Sequence, residues 1–180
     1  MPLGYGGGVN NLNHIEKIFS IGIEKVIINS ASHLNENFII ESVKIAGSQS
    51  IVISIDYKKT IFGKYEVFIN NGKINTKIPL IDFAKKVQDN GVGEIILNSI
   101  DREGTGVGYD FEMINKISES LKIPVVGLGG AGNVEDLIYL LQNSDVSAAA
   151  AGDLFVFHGK HKAVLISYPD KINLQKIYNQ

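Results

Sequence analysis

The chain has 180 residues and a net charge of -2, which suits one domain with a sizeable core and gives no reason to expect nucleic acid or an anionic membrane as a partner. The absence of cysteine excludes a disulfide framework and a thiolate nucleophile. Apolar runs are short and interrupted by glycine or charge, so we expect neither a membrane span nor a secretion signal, and a single domain over residues 1–180 located in the cytoplasm.

Apolar segments alternate along the chain with segments of helical periodicity. The helical patterns start near Leu12, Phe38, Ile81 and Met113, and each carries apolar residues on one face. The apolar segments between them are continuous enough to be strands buried on both faces. They predict about six strands, at residues 2–5, 25–29, 50–56, 94–98, 123–128 and 147–151. This alternation is typical of an α/β fold with a parallel sheet.

The βα alternation is interrupted once, by an insert near residues 61–76. Residues of alternating polarity flank Asn71 and Gly72 there. An Asn-Gly pair between alternating residues is a strong signal for a tight hairpin turn. The sequence therefore predicts a small antiparallel hairpin after the strand that ends at Asp56.

Two glycine-rich turns lie near the two ends of the chain and belong to a repeated strand, turn, helix and strand. The first contains Gly7 and Gly8, and the second contains Gly129 and Gly130. In a parallel α/β protein such a turn allows an anion to approach the backbone closely. Two copies therefore suggest two anion sites, although a glycine turn can also serve only to close a tight βα connection.

Polar residues follow the predicted strands, at the edge where parallel α/β proteins place their chemistry. Asp56 ends an otherwise apolar strand, and Asp101 repeats the same Ser-Ile-Asp pattern. An aspartate in such a place suits a general acid or base. The alternative is that either aspartate caps a loop or pairs with Lys58 or Arg102.

The sequence gives no support for a metal or cofactor site. His158 and His161 have a spacing compatible with metal ligation, but no carboxylate cluster accompanies them. We interpret them as part of a solvated loop, and we predict no cofactor.

The motifs together resemble a known family. The segments GYGGGV, EKVIINSA, GSQSIVISID, GEIILNSIDREGT, GYDFEMI, VVGLGGAGNVEDL and AAAAGDLFVF, in this order, are similar to the cyclase subunit of imidazole glycerol phosphate synthase (HisF). The hairpin FGKYEV and the tail HGKHKAVLISYP are more similar to the branch found in surface-polysaccharide clusters, the glycosyl amidation-associated proteins (WbuZ).

This resemblance implies a (β/α)8 TIM barrel that receives ammonia from a glutaminase subunit. In the family, ammonia acts on a phosphorylated substrate in histidine biosynthesis, or amidates a nucleotide-linked sugar in the polysaccharide branch. The chain matches the family from the third βα unit to the eighth. We therefore expect a partial barrel of about six βα units, stabilised by self-association, by a complementary N-terminal fragment, or by its own apolar tail bending across the gap.

The resemblance also implies roles for individual residues. Asp56 matches a catalytic aspartate, and Lys25 matches a lysine that gates ammonia entry at the opposite end of the barrel. The remaining matches imply two phosphate clamps, formed by Gly7, Gly8, Asn29 and Ser30 on one side and by Asp101, Glu103, Gly104, Gly129, Gly130, Gly152 and Asp153 on the other.

Departures from the family leave two functional classes open. Asp153 stands where the family usually has serine, and a carboxylate there repels a phosphate dianion, so the second clamp is altered or its ligand is less charged. The family's other catalytic aspartate lies on the first strand, outside the matched segment. The chain is thus expected to be either a subunit of an ammonia-using synthase or a catalytically incomplete barrel fragment that retains phosphate binding.

Overall fold

The computed structural model describes residues 3–159, 162–169 and 175–176. Within these residues the strands are β1 Gly4–Gly6, β2 Lys25–Ile28, β3 Ile51–Lys59, β4 Tyr65–Ile69, β5 Ile74–Pro79, β6 Glu94–Ser99, β7 Val125–Leu128, β8 Ala148–Ala150, β9 Phe157–His158 and β10 Ala163–Val164. The helices are α1 Leu12–Ser20, α2 Ser30–Leu34, α3 Glu36–Ala46, α4 Leu80–Asp89, α5 Phe111–Ser120, α6 Val134–Asn143 and α7 Asp153–Val156, and a short 3-10 turn spans Ser48–Ser50.

The six strands predicted from the apolar segments form one parallel sheet. Their order is β1-β2-β3-β6-β7-β8, so each strand lies beside the next one along the chain once the hairpin is set aside. Helices cover one side of the sheet, and the arrangement is a half-barrel, as expected for a partial (β/α)8 barrel. The predicted fold class is therefore confirmed.

The hairpin insert is also present, but it changes the length of the strand before it. Strand β4 pairs antiparallel with β3, from Asp56 opposite Phe68 to Lys59 opposite Tyr65. Because β4 supplies hydrogen-bond partners beyond the parallel sheet, β3 continues to Lys59 instead of ending at Asp56. The prediction that Asp56 closes its strand is wrong for this reason, and the carboxylate lies inside a strand with neighbours on both sides.

The two faces of the parallel strands have different surroundings. A Cβ built on Gly127 of β7 would lie 2.7 Å from Leu140 of α6 and 3.2 Å from Ile114 of α5, so Gly127 faces the helices. Leu97 pairs with Gly127 and shares that side, whereas Asn98, the next residue, points to the other face. The helix-facing side forms the apolar core, and the opposite side is the inner face of the half-barrel.

The helices that flank the sheet follow their sequence signals. Asn11 caps α1, since its side chain accepts a hydrogen bond from the His14 amide at 3.0 Å, and Ile15 and Ile18 of that helix are buried against the sheet. Asn133 forms a capping box with Asp136 at the start of α6. Burial of each large aliphatic side chain contributes about 1.5–3 kcal/mol to folding.

The apolar tail does not cross the gap in the half-barrel within the residues described. Strand β10 pairs antiparallel with β9, and the Ser167 amide donates to the Phe155 carbonyl at 2.9 Å. The ring of Tyr168 stacks on Phe155 with centroids 5.6 Å apart. The tail thus folds back on the segment that precedes it, because backbone pairing there satisfies its hydrogen-bonding groups. The prediction that the tail bends across the gap is therefore wrong for the described part of the tail.

The sheet has an edge at β1 and another at β8 within the described chain, since β1 pairs with β2 alone and β8 with β7 alone. Self-association or pairing with another fragment therefore stays a prediction. Of the helices described, none has the length and apolarity to cross a bilayer.

Candidate functional site

Asp56 is the carboxylate most deeply set on the inner face. It is 8% exposed, and the Asn98 side-chain amide of β6 donates to its Oδ1 at 2.9 Å. The pairing is built by the sheet, because Asp56 and Asn98 lie opposite each other in the β3–β6 register. The second oxygen of Asp56 has no hydrogen-bond partner among the residues described. A rigid, half-satisfied carboxylate of this kind can take up or release a proton.

The first predicted clamp comes together in one cleft. Gly7 and Gly8 from the turn after β1, and Asn29 and Ser30 from the end of β2, all line a cleft of about 550 Å³ together with Ser54 of β3. A Cβ built on Gly7 or Gly8 would meet no atom within 4 Å, so the turn faces open space. Ser54 and Asp56 are alternate residues of one strand, so the cleft leads along the inner face towards the carboxylate.

The second predicted clamp forms a cluster whose charge differs from that of the first. Glu103 and Gly104 follow β6, and Gly152 and Asp153 follow β8. A Cβ on Gly152 would lie 3.3 Å from Glu103 Oε1, and one on Gly104 would lie 3.1 Å from Asp153 Oδ2. Burial, and secondly the Asp153 carboxylate, raises the pKa of Glu103 above its ordinary value. Two carboxylates therefore share the space in which a second phosphate would bind.

A lysine from the tail compensates part of this negative charge. Lys162 Nζ lies 3.1 Å from Asp153 Oδ2 and donates to the Gly104 carbonyl at 3.1 Å. No local sequence signal predicts this contact, since Lys162 reaches the site only through the β9–β10 pairing. We name Glu103, Gly104, Gly152, Asp153 and Lys162 the mixed-charge cluster.

The loop between β6 and α5 is fixed to the ends of β7 and β8. Arg102 donates to the Gly108 and Tyr109 carbonyls at 3.2 Å each, and the Gly108 amide donates to the Gly130 carbonyl at 2.8 Å. Tyr109 donates its hydroxyl to the Ala150 carbonyl at 2.8 Å, and burial raises the Tyr109 pKa, which keeps that donor protonated. The glycine turn after β7 thus holds the loop that carries Glu103 and Gly104.

Besides Gly130, two further predicted binding residues make structural contacts and do not face open space. Asp101 accepts a hydrogen bond from the Lys59 amide at 3.2 Å and lies 3.8 Å from Lys58 Nζ, which is the pairing that the sequence left open as an alternative. Gly129 packs against β6, because a Cβ there would lie 2.6 Å from the Ser99 carbonyl oxygen.

Lys25 lies at the opposite end of the sheet, at the start of β2. It forms an ion pair with Glu94 at the start of β6, across the intervening strand β3. Sequence reasoning missed Glu94 because the two residues are distant in the chain and meet only through the strand order. Of the two histidines considered for a metal, the His158 side chain and the whole of His161 lie outside the described residues.

Comparison with known proteins finds a family and several relatives that match most of this chain. The sequence profile of the family described as "Histidine biosynthesis protein" matches residues 1–162. A Pseudomonas aeruginosa protein, provisionally named imidazole glycerol phosphate synthase subunit hisF2, is 49% identical over 170 residues, which is 94% of this chain and 68% of that protein. A Leptospira interrogans protein with a similarly provisional name as subunit HisF is 45% identical over 99% of this chain and 70% of its own length. Imidazole glycerol phosphate synthase subunit HisF of Sulfolobus acidocaldarius is 44% identical over 88% of this chain and 61% of its own length.

Proposed function

The chain belongs to the histidine biosynthesis protein family, and we propose that it acts as a cyclase subunit of the imidazole glycerol phosphate synthase type. In this proposal ammonia released by a glutaminase partner reacts with a phosphorylated or nucleotide-linked sugar. The relatives named as subunit HisF support the reaction class.

The observation that carries the proposal is the buried Asp56 on the inner face, held by Asn98 at 2.9 Å. Ammonia addition and the elimination that follows both need protons to be moved at the reacting atoms, and a fixed carboxylate next to a polar cleft can do this. Asn98 fixes one oxygen, so the other is the one available to the substrate. Asp56 is accordingly the proposed acid-base residue.

The proposed anchor for the substrate is the first cleft. The Gly7 and Gly8 turn lines the cleft with backbone, and a Cβ on either glycine would meet no atom within 4 Å. Ser30 adds a hydroxyl, which donates to Asn29 Oδ1 at 3.3 Å until a ligand replaces that acceptor. Uncharged donors of this type bind phosphate oxygens without needing a cationic side chain. The mixed-charge cluster is the proposed recognition site for the far end of the substrate.

The proposed entrance for ammonia is the amino end of the strands, at the Lys25–Glu94 ion pair. The pair is partly exposed, with 41% and 19% of the two side chains accessible. An ion pair that water still reaches contributes little to stability, so it can open at small cost when a partner docks there. A glutaminase subunit is the proposed partner at this end.

The mixed-charge cluster favours sugar amidation as a second candidate reaction. Asp153 and Glu103 disfavour a terminal phosphate dianion, whereas they accept hydrogen bonds from hydroxyl or amino groups. A substrate carrying its phosphates at the first cleft and an uncharged acetamido sugar at the cluster would fit both ends. The nucleotide-linked sugars of surface polysaccharide synthesis have this distribution of charge.

Ammonia-dependent turnover tests these proposals directly. The chain is incubated with ammonium chloride and either the formimino aminoimidazole ribonucleotide of histidine biosynthesis or a uridine diphosphate-linked acetamido sugar, with and without a glutaminase subunit, and products are identified by mass spectrometry. Turnover of one substrate selects between the two reactions. Phosphate binding without turnover of either would contradict the catalytic proposal and support the binding-only fragment.

Replacing Asp153 with serine is expected to tighten inorganic phosphate binding at the mixed-charge cluster about tenfold, because removing one nearby carboxylate relieves its repulsion of the dianion. The same change is expected to lower the Glu103 pKa without restoring its ordinary value, since burial is the larger cause of the shift. An NMR titration that follows the Gly104 and Gly7 amides separately measures the first effect, and carbon shifts of the Glu103 carboxyl measure the second.

Asp145→Ser is the matched control, because Asp145 is exposed and precedes β8 at the other end of that strand. It is expected to change neither quantity. Unaltered phosphate affinity at Gly104 in Asp153→Ser would show that Asp153 does not face the ligand.

A further inference from the structure

The tip of the β4–β5 hairpin forms part of the wall of the first cleft. Asn70 and Asn71 belong to the turn between the two hairpin strands, and both line the cleft that contains the glycine turn and Ser30. The Asn70 amide donates to Ser30 Oγ at 3.0 Å, so the turn is bonded to a residue of the proposed phosphate anchor. The insert is therefore part of the cleft wall as well as an extension of the sheet.

The backbone of this turn is held in an unusual conformation. Asn70 and Asn71 have φ values of 53° and 56°, in the left-handed region that most residues avoid. Asparagine tolerates this region better than other residues with a side chain, and a glycine would tolerate it best. Asn-Gly is a usual sequence for such a hairpin turn, so the conformation follows from the turn and fixes the direction in which Asn71 projects.

The turn is also fixed from behind. A Cβ built on Gly72 would lie 2.7 Å from Ile100 Cδ1 and 3.6 Å from Lys58 Cε, so Gly72 packs tightly against the ends of β6 and β3. The turn is thereby held between those strand ends and Ser30. Asn71 projects from a supported backbone and not from a free loop.

The side-chain amide of Asn71 has no hydrogen-bond partner among the residues described, and the side chain is exposed. An amide offers two donors and an acceptor, which match the hydroxyl groups of a sugar, since each hydroxyl both donates and accepts. A phosphate bound at the glycine turn would place whatever is attached to it within the same cleft.

We propose that Asn71 is a specificity-determining residue that binds a hydroxyl group of the sugar whose phosphate occupies the Gly7–Ser30 anchor. The inference rests on the proposed function, because it needs the anchor to bind phosphate. It assigns the hairpin tip to recognition of polyhydroxylated phosphate esters, as opposed to phosphate alone.

The test compares inorganic phosphate with ribose 5-phosphate on the full chain. Dissociation constants are obtained from the Gly7 and Ser30 amide shifts, so that binding at the mixed-charge cluster does not enter. Wild type is expected to bind ribose 5-phosphate more tightly than phosphate. Asn71→Gly is expected to weaken ribose 5-phosphate about fivefold and to leave inorganic phosphate unchanged, because one neutral hydrogen bond is lost while glycine keeps the turn.

Two further variants sharpen this result. Lys77→Gly relieves a third left-handed residue, with φ of 60°, in the same hairpin but outside the cleft, and is expected to change neither ligand's affinity. Asn71→Asp keeps the side-chain shape and adds a negative charge, so it is expected to weaken both ligands.

The outcomes distinguish failure of the proposed anchor from failure of the proposed role of Asn71. Absence of phosphate-induced shifts at Gly7 in wild type would overturn the anchor and this inference with it. Phosphate binding together with an unchanged ratio of the two dissociation constants in Asn71→Gly would overturn the inference and leave the proposed anchor intact.

Discussion

Replacing Asp56 with asparagine is expected to lower kcat for ammonia-dependent turnover by about 10²- to 10⁴-fold, the usual contribution of a general acid or base. The fold should survive, because the Asn98 amide can still donate to the oxygen of the new side chain. Substrate affinity is expected to change little, since the proposed anchor lies further along the cleft. Steady-state kinetics with saturating ammonium chloride measure kcat and KM separately.

Asp145→Asn supplies the control for this experiment, since it makes the same chemical change at an exposed position away from the carboxyl ends of the strands. Urea unfolding of both variants checks that any loss is catalytic. If Asp56→Asn kept the wild-type kcat, Asp56 would not be the acid-base residue and the proton would have to be moved by another group. A raised KM with unaltered kcat would assign Asp56 to binding.

Replacing Gly130 with alanine is expected to destabilise the chain by about 3 kcal/mol or more, as the sum of backbone strain and overpacking. Gly130 has a φ of 103°, and a Cβ there would lie 2.2 Å from the Gly108 carbonyl oxygen. The Gly108 segment must therefore move, and with it the loop that carries Glu103 and Gly104. Ligand-induced shifts at the Gly104 amide are expected to be lost, whereas those at Gly7 should persist.

Gly63→Ala separates the two causes of this loss. Gly63 has a φ of 77°, but a Cβ there would meet nothing within 4 Å, so only the strain applies and about 1 kcal/mol is expected. Urea unfolding at equilibrium gives both free energies. An equal decrease in the free energy of unfolding for the two variants would mean that the Gly108 segment moves without an energetic penalty. It would then not be what fixes the mixed-charge cluster.

The order of elements was predictable because it depends on local pattern. Each parallel strand is an apolar segment, and each glycine turn follows such a segment, so composition over a few residues was sufficient. The hairpin followed from Asn71 and Gly72 for the same reason. The full length of β3 was not predictable, because Lys58 and Lys59 are strand only through their pairing with β4.

The site was predictable only as far as it depends on strand ends. The Gly7 turn follows β1 as the pattern predicts, whereas Asp56 lies on the predicted strand but three residues before its end. The partners that define their chemistry come from elsewhere: Asn98 is 42 residues from Asp56, and Lys162 is 58 residues from Gly104. Such contacts depend on strand register and on the path of the tail, and neither has a local sequence signal.

Strand β3 shows how this protein can change its chemistry without losing its fold. Ile53, Ile55 and Tyr57 are fully or almost fully buried, on the side of the strand that faces the helices. Ser54 and Asp56 alternate with them on the inner face, where Ser54 lines the cleft and Asp56 bonds to Asn98. Packing against the helices therefore constrains Ile53, Ile55 and Tyr57, whereas Ser54 and Asp56 are constrained by the inner face instead. One strand thus serves two requirements that do not conflict, since alternate side chains meet the helices and the inner face.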